Sequence, residues 1–314
     1  MNSKTIDLHR AVTAICLLAG CSGSLSQGTP SGAVSVHRTL GRSWVDTSDR
    51  PAIFVSSPNA STVYGYSQKT GRETEEISGL AGPGQLATDV GGNLYVSTSA
   101  DSQVLVFLEG STKPSLTLTG AGPSPVGLAV SRKGEVAVVS SPDGGAGNVV
   151  FYEKGAKKPF STIPTGGLVP LFDVYDSKGN LWLDSAQNGA WALAEVVGGG
   201  RGRQLVQFRV SPNLSEPSGV AVDGADHILV ADGETLSVYQ YQLPNPSQPT
   251  ATILLTGAMH PVGIALTKSE ASIYDADDYA NAAQRFAYPA GGSATQSISV
   301  SKAVGVAVIP EAKP

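Results

Sequence analysis

Cysteine is nearly missing from this chain. There are two, Cys16 and Cys21, and none beyond residue 21. A disulfide framework, a thiolate metal site and a cysteine nucleophile are therefore excluded for everything that follows. Histidine is scarce as well, with four in 314 residues. Clusters of lysine and arginine are lacking: 21 basic residues face 26 acidic ones, and the net charge is −5. A backbone of phosphates needs a concentrated positive patch, so nucleic acid is not an expected partner. The short run Arg201-Gly202-Arg203 follows three glycines and reads as a solvated loop. Long apolar runs are missing too. Ala11 to Leu18 is apolar-rich, but eight residues are too few to cross a bilayer. Stretches of 3.6-residue periodicity are absent, and 37 Gly and 20 Pro would break long helices.

What the chain does have is a repeat. One copy is Pro217-Ser218-Gly219-Val220-Ala221-Val222-Asp223, followed by His227-Ile228-Leu229-Val230. Aligned on Gln85, Gly127, Phe172, Gly219, Gly263 and Gly305, the copies recur every 42 to 47 residues. Each reads as short strands separated by turns. A small-residue strand comes first, then a turn such as Asp176-Ser177-Lys178-Gly179, with Asp at its start and Gly three on, as a type I turn prefers. A strand rich in β-branched and aromatic residues follows, as in Asn93-Leu94-Tyr95-Val96. Two further strands complete the copy. A period in the forties with several strands per copy signals a β-propeller blade. The small residues suit an innermost strand where neighbouring blades crowd together.

The phrases Gly92-Asn93-Leu94-Tyr95-Val96 and Pro-x-Gly-Val-Ala-Val-Asp resemble the NHL and YVTN-type propeller repeats over roughly residues 51 to 310. The expectation is an all-β, six-bladed β-propeller of four-stranded antiparallel blades. Residues 51 to 80 supply strands without a first one, and Gly305-Val306-Ala307-Val308 is a first strand without successors. The C-terminal strand should therefore join the N-terminal blade and close the ring, hiding both sheet edges.

The first 20 residues read as a signal peptide. Lys4 and Arg10 precede the apolar stretch, and Leu18-Ala19-Gly20-Cys21 resembles the bacterial lipobox. That resemblance implies cleavage before Cys21 and its lipidation. Ser22 after the cysteine, rather than Asp, implies an outer-membrane address in a cell with two membranes. Residues 21 to 50 read as the lipidated Cys and a flexible tether with a reach of roughly 30 Å. Residues 51 to 314 are the propeller.

The loops leading into first strands and those joining second to third strands share one face of such a fold. Three residues before each aligned position, at the channel mouth, stand Gly82, Ser124, Val169, Glu216, His260 and Lys302. Glu216, His260 and Lys302 fall on three successive copies and should converge, forming an acid, an imidazole and an amine side by side. Alanine at Glu216 or His260 is expected to abolish binding and leave stability within about 0.5 kcal/mol, as for exposed sites. Asp184, Asp232, Asp275, Asp277 and Asp278 are expected in the second set of loops. Asp275, Asp277 and Asp278 resemble a fragment of a calcium loop in carboxylate density, without its full ligand pattern. Asp173 stands inside a first strand where other copies carry Leu, Val or Ile, and a carboxylate there needs water or a partner. Either it lines the channel or the copy is shifted by one and it points outward.

Two functions follow. The first is a non-catalytic, membrane-tethered, extracytoplasmic module that binds a protein or glycan as a monomer. The second is a hydrolase or lyase, resembling the gluconolactonase or streptogramin-lyase propellers, working through Glu216 and His260. The Glu-Gly-Pro opening of gluconolactonases has no counterpart here. No cofactor is expected beyond a divalent cation such as calcium on the acidic run.

Overall fold

The computed structural model describes residues 52–142, 145–187 and 190–309. The signal, Cys21 and tether readings lie outside these residues.

Among the described residues twenty-four strands account for nearly all the regular structure, with a short 3₁₀ turn at Gly200–Gly202. The first sheet holds β1 (Ile53–Ser57), β2 (Thr62–Tyr66) and β3 (Glu73–Ser78). Next come β4 (Pro83–Thr88), β5 (Leu94–Thr98), β6 (Gln103–Phe107) and β7 (Pro114–Leu118). The third sheet is β8 (Pro125–Val130), β9 (Val136–Ser140), β10 (Asn148–Tyr152) and β11 (Ser161–Pro164). The fourth is β12 (Val169–Tyr175), β13 (Leu181–Gln187), β14 (Ala190–Val197) and β15 (Gln204–Arg209). Then follow β16 (Pro217–Val222), β17 (His227–Asp232), β18 (Ser237–Gln242) and β19 (Pro249–Thr256). The last are β20 (Pro261–Leu266), β21 (Ser272–Asp277), β22 (Ala282–Ala287), β23 (Gly291–Ser299) and β24 (Gly305–Val308). Each group is an antiparallel meander in chain order. The groups β16–β19 and β20–β23 form one eight-stranded sheet, because Leu255 and Thr256 of β19 pair in parallel with Gly292 and Ser293 of β23.

The C-terminal strand β24 pairs antiparallel with β1, Ile53 opposite Val308 and Ser56 opposite Gly305. It thus supplies the first strand that the N-terminal group lacks. The first strands touch in a closed cycle: β4 on β8, β8 on β12, then β16, β20, β24 and back to β4. Glycine permits this closeness. A Cβ on Gly219 would lie 2.4 Å from the Ile264 nitrogen, and one on Gly305 2.4 Å from the Gly84 carbonyl oxygen. No side chain fits there.

Strand alternation sends successive side chains to opposite neighbours. In β13, Leu181 and Leu183 pack on Val139 and Phe151 of the preceding sheet. Trp182, between them, packs with Ile228 and Tyr241 of the following one. Every neighbouring pair in the cycle shares such an apolar cluster.

The turns between first and second strands repeat one device. The Asp176 carboxylate accepts from the backbone N–H of Lys178 (2.9 Å) and Asn180 (2.8 Å), from the Asn180 side chain and from the Trp182 indole. Asp89 does the same with Gly91, Asn93 and Tyr95. Asp223 does so with Ala225 and His227. Gly179 closes the turn by donating to the Asp176 carbonyl, as the sequence indicates.

Arg203 departs from the sequence reading. It is not solvated. Its guanidinium sits 3.9 Å from the Phe151 ring centre and donates to both oxygens of Glu135, at 2.8 and 2.9 Å. The sequence pattern hides this because Phe151 and Glu135 are distant in the chain and meet only when sheets stack.

Candidate functional site at the mouth of the ring

Three loops on one face bring charged side chains together. Glu216 immediately precedes β16, His260 precedes β20, and Lys302 lies in the turn before β24. Between them rises the β21–β22 loop, carrying Asp278 and Tyr279. The His260 Nε2 lies 3.3 Å from a Glu216 oxygen, and its Nδ1 lies 2.6 Å from Asp278 Oδ1. The other Asp278 oxygen accepts from the Lys302 ammonium. The result is a ladder of alternating charge, Glu216–His260–Asp278–Lys302. Tyr279 stacks on the imidazole with ring centres 4.3 Å apart.

His260 is buried, with 6% of its surface exposed. Burial alone would lower its pKa, but the hydrogen bonds to Asp278 and Glu216 prevail and push it up to about 9. Burial would raise Asp278, but the hydrogen bonds and charges of His260 and Lys302 prevail and hold it below the ordinary carboxylate range. At neutral pH His260 and Asp278 therefore form a charged pair.

The backbone beneath is fixed by two saturated carboxylates. Asp277 accepts from the N–H groups of Met259 (2.5 Å), His260 (3.0 Å), Tyr279 (3.1 Å) and Ala280 (2.7 Å). Asp232 accepts from Ser215, Glu216, Glu234 and Thr235. Each ties the loop leading into a first strand to the loop after the second.

The other sequence candidates are placed differently. Ser124 occupies a left-handed turn before β8, at φ +50°. Among the described residues it has no hydrogen bond or ion pair with the ladder. Asp184 and Asp275 are not in loops. They lie inside β13 and β21 at 1% and 0% exposure, because those strands run further than the sequence suggests. Of the acidic run, Asp277 is spent on backbone donors, Asp278 on the ladder, and Asp275 is buried with no partner on either oxygen. Among the described residues, no group of three or more His, Cys, Asp or Glu is arranged to hold a metal ion. Asp173 is in register: it pairs with Leu183 as Val220 pairs with Val230. Its carboxylate neither lines the mouth nor turns to solvent, but faces Gly127 of β8.

Alanine at His260 therefore cannot be as innocuous as expected for an exposed site. Tyr279 was not legible as part of the site, since nothing in its sequence context separates it from any loop tyrosine. Asp278 stands out in sequence only as one of several carboxylates, and its role as the bridge appears only in the folded chain.

No protein-family model and no curated protein matches this chain. Solved structures do resemble it. The nidogen/laminin complex contains a chain similar over 82% of this one and 97% of its own length, at 16% identity and a TM-score of 0.65. A protein of unknown function from Bacteroides caccae matches over 83% and 100%, at 12% identity and a TM-score of 0.64. A streptogramin B lyase matches over 83% and 87%, at 14% identity and a TM-score of 0.55. At these identities the likeness is one of fold, and the fold is a β-propeller.

Proposed function

We propose that this chain is a lipid-anchored, extracytoplasmic β-propeller of six blades that binds a protein or glycan partner through the face bearing the charged ladder, without catalysis. Counting the eight-stranded sheet as two blades gives six, in keeping with the closed cycle of first strands. The anchor rests on the lipobox at Cys21, with the propeller held clear of the membrane by residues 21 to 50. Among the described residues no helix is long and apolar enough to cross a membrane.

The observation that carries the non-catalytic reading is the double engagement of His260. A general base needs a free lone pair near neutral pH. Both nitrogens here point at carboxylates, and the pKa of about 9 keeps the ring an imidazolium. It can neither take a proton nor bind a metal. A hydrolase or lyase using His260 as its general base is therefore disfavoured, although streptogramin lyases share the fold. The binding reading has support beside it: Met259 and Tyr279 flank the ladder at 59% and 55% exposure. Large side chains of this kind form the centres of interaction surfaces. A nidogen/laminin complex among the neighbours offers an example of a propeller held by a protein.

The test has two parts. Purified protein and its Tyr279→Ala variant are passed over a glycan array and cross-linked in native cells. A partner retained by the parent and lost by the variant is expected. Turnover of quinupristin by the parent, abolished in His260→Ala, would overturn the non-catalytic reading.

A further inference from the structure

At the outside of the ring, the last strand of a sheet presents unpaired N–H and C=O groups, an open template for another strand. Most of these edges are blocked. In the first sheet β3 carries Glu73, Glu75 and Glu76, so a second copy of it would meet like charge. β7 opens on Pro114, and just past its end Thr119 donates to the Lys157 carbonyl of the next sheet. β11 is four residues long and ends on Pro164. β19 and β23 pair with each other.

β15 is the exception. It ends its sheet, and among the described residues no strand pairs with its outer side. Its six residues, Gln204-Leu205-Val206-Gln207-Phe208-Arg209, include no Pro, Asp, Glu or Lys. Arg209 is its single charge. Arg203, just before the strand, is turned inward onto Phe151 and Glu135 and guards nothing. Val206, in the middle of the strand, is left 40% exposed. A flat edge of this length, with an apolar centre and one terminal charge, lacks the devices that keep strands from pairing.

We propose that β15 is a dimerisation edge, pairing antiparallel with β15 of a second copy of this chain about a two-fold axis at Gln207. A two-fold axis between antiparallel strands sets one residue opposite its own counterpart. Centring on Gln207 places Val206 against Phe208 of the second copy, twice over, and Arg209 against Leu205. Opposed side chains share a face, and alternation puts Val206 with Phe208 on one face and Leu205 with Arg209 on the other. Leu205 and Phe208 do pack on opposite sides of their sheet. Centring on Val206 instead would set Arg209 against Arg203, like charge on like. The edge is thus self-complementary in one register, and it carries no run of charge that would select an acidic or basic partner strand. Antiparallel pairing points the ladder-bearing faces of the two copies in opposite directions. The dimer replaces the monomer expected from the sequence and does not depend on what the ladder binds.

The experiment uses the full chain carrying Cys21→Ser, so that no acyl chain contributes to association. Six residues a side make a small interface, at the weak end of specific association, so mass is read by light scattering at about 100 µM protein. A dimer is expected. Gln207→Lys and Gln207→Glu, each setting like charges against one another at the axis, should give monomers with unchanged melting temperature, because Gln207 is exposed. An equal mixture of the two variants should dimerise again, since Lys then faces Glu. Glu76→Lys, on the guarded edge β3, should leave the dimer intact. A parent chain that stays monomeric overturns the proposal; if its β15 amides nonetheless resist hydrogen exchange, residues 21–50 of the same chain cover the edge instead. A dimer that survives Gln207→Lys, or a mixture that stays monomeric, would place the contact elsewhere and overturn it as well.

Discussion

The Nδ1 of His260 lies 2.6 Å from Oδ1 of Asp278, although the two residues come from different loops. This contact does most to raise the pKa of His260 to about 9. A histidine raised above its unfolded value stabilises the fold fully below about pH 6.5, and loses that contribution as pH climbs through 9. Stability should therefore fall between pH 6.5 and pH 10, by on the order of 2 kcal/mol. Urea midpoints across this range check it. His260→Gln should flatten the dependence, and a wild-type curve flat from pH 6.5 to 10 would contradict the ladder's geometry.

Asp277→Ala removes the acceptor for four backbone N–H groups of two loops. A cost of about 3 kcal/mol or more is expected, since several buried donors lose a charged partner at once. Chemical denaturation measures it. A cost below 1 kcal/mol would mean that water replaces the carboxylate easily.

Asp275→Val should act in the opposite direction. At this register position the other second strands carry Val55, Val96, Val138, Leu183 and Val230. Asp275 is fully buried and both its oxygens lack partners. Replacing it by the apolar residue its neighbours use should stabilise the protein by about 1–3 kcal/mol at pH 7. Burial raises the Asp275 pKa, so the gain should grow as pH rises. Equilibrium unfolding at pH 6 and pH 9 tests both statements.

Gly219→Ala places a methyl group 2.4 Å from the Ile264 nitrogen, between two backbones that cannot part without opening the ring. A loss of about 3 kcal/mol is expected. Gly199→Ala, where nothing lies within 4 Å, is the control and should change stability by less than 1 kcal/mol. Equal melting temperatures for the two variants would show that the first strands are not tightly apposed.

Replacing Cys21 by Ser should release the protein from the membrane fraction, because the tether would then carry no acyl chain. Fractionation of expressing cells reads this directly, and continued membrane association of the variant would refute the lipobox reading.

The repeat made much of the fold legible. A recurring Gly or small residue marks where first strands meet, and a recurring Asp marks the turn that follows. Both are local requirements, and each leaves a residue type behind. The convergence of Glu216, His260 and Lys302 was legible for the same reason, since equivalent loops share one face. What joins them was not. Asp278 bridges His260 and Lys302 only because the β21–β22 loop rises between two others, and no spacing encodes that height. Arg203 was misread on the same ground: its partners Phe151 and Glu135 lie across a sheet-to-sheet interface. Asp184 and Asp275 look like loop carboxylates because charged residues favour loops. Strand pairing carries them inward, and the cost of burying them is not visible in a one-dimensional pattern.

The pairing of β24 with β1 also governs when this protein can finish folding. The partner that Ile53 to Ser56 requires is made last, some 250 residues after β1 on the order-of-magnitude scale of one domain. During synthesis the N-terminal hairpin must wait with one edge open while the other sheets assemble. Contacts of such wide sequence separation come late and slow the final step. Ring completion should accordingly be the rate-limiting event of folding, and β1 the segment most exposed to capture by chaperones, proteases or another copy's β24 until it occurs.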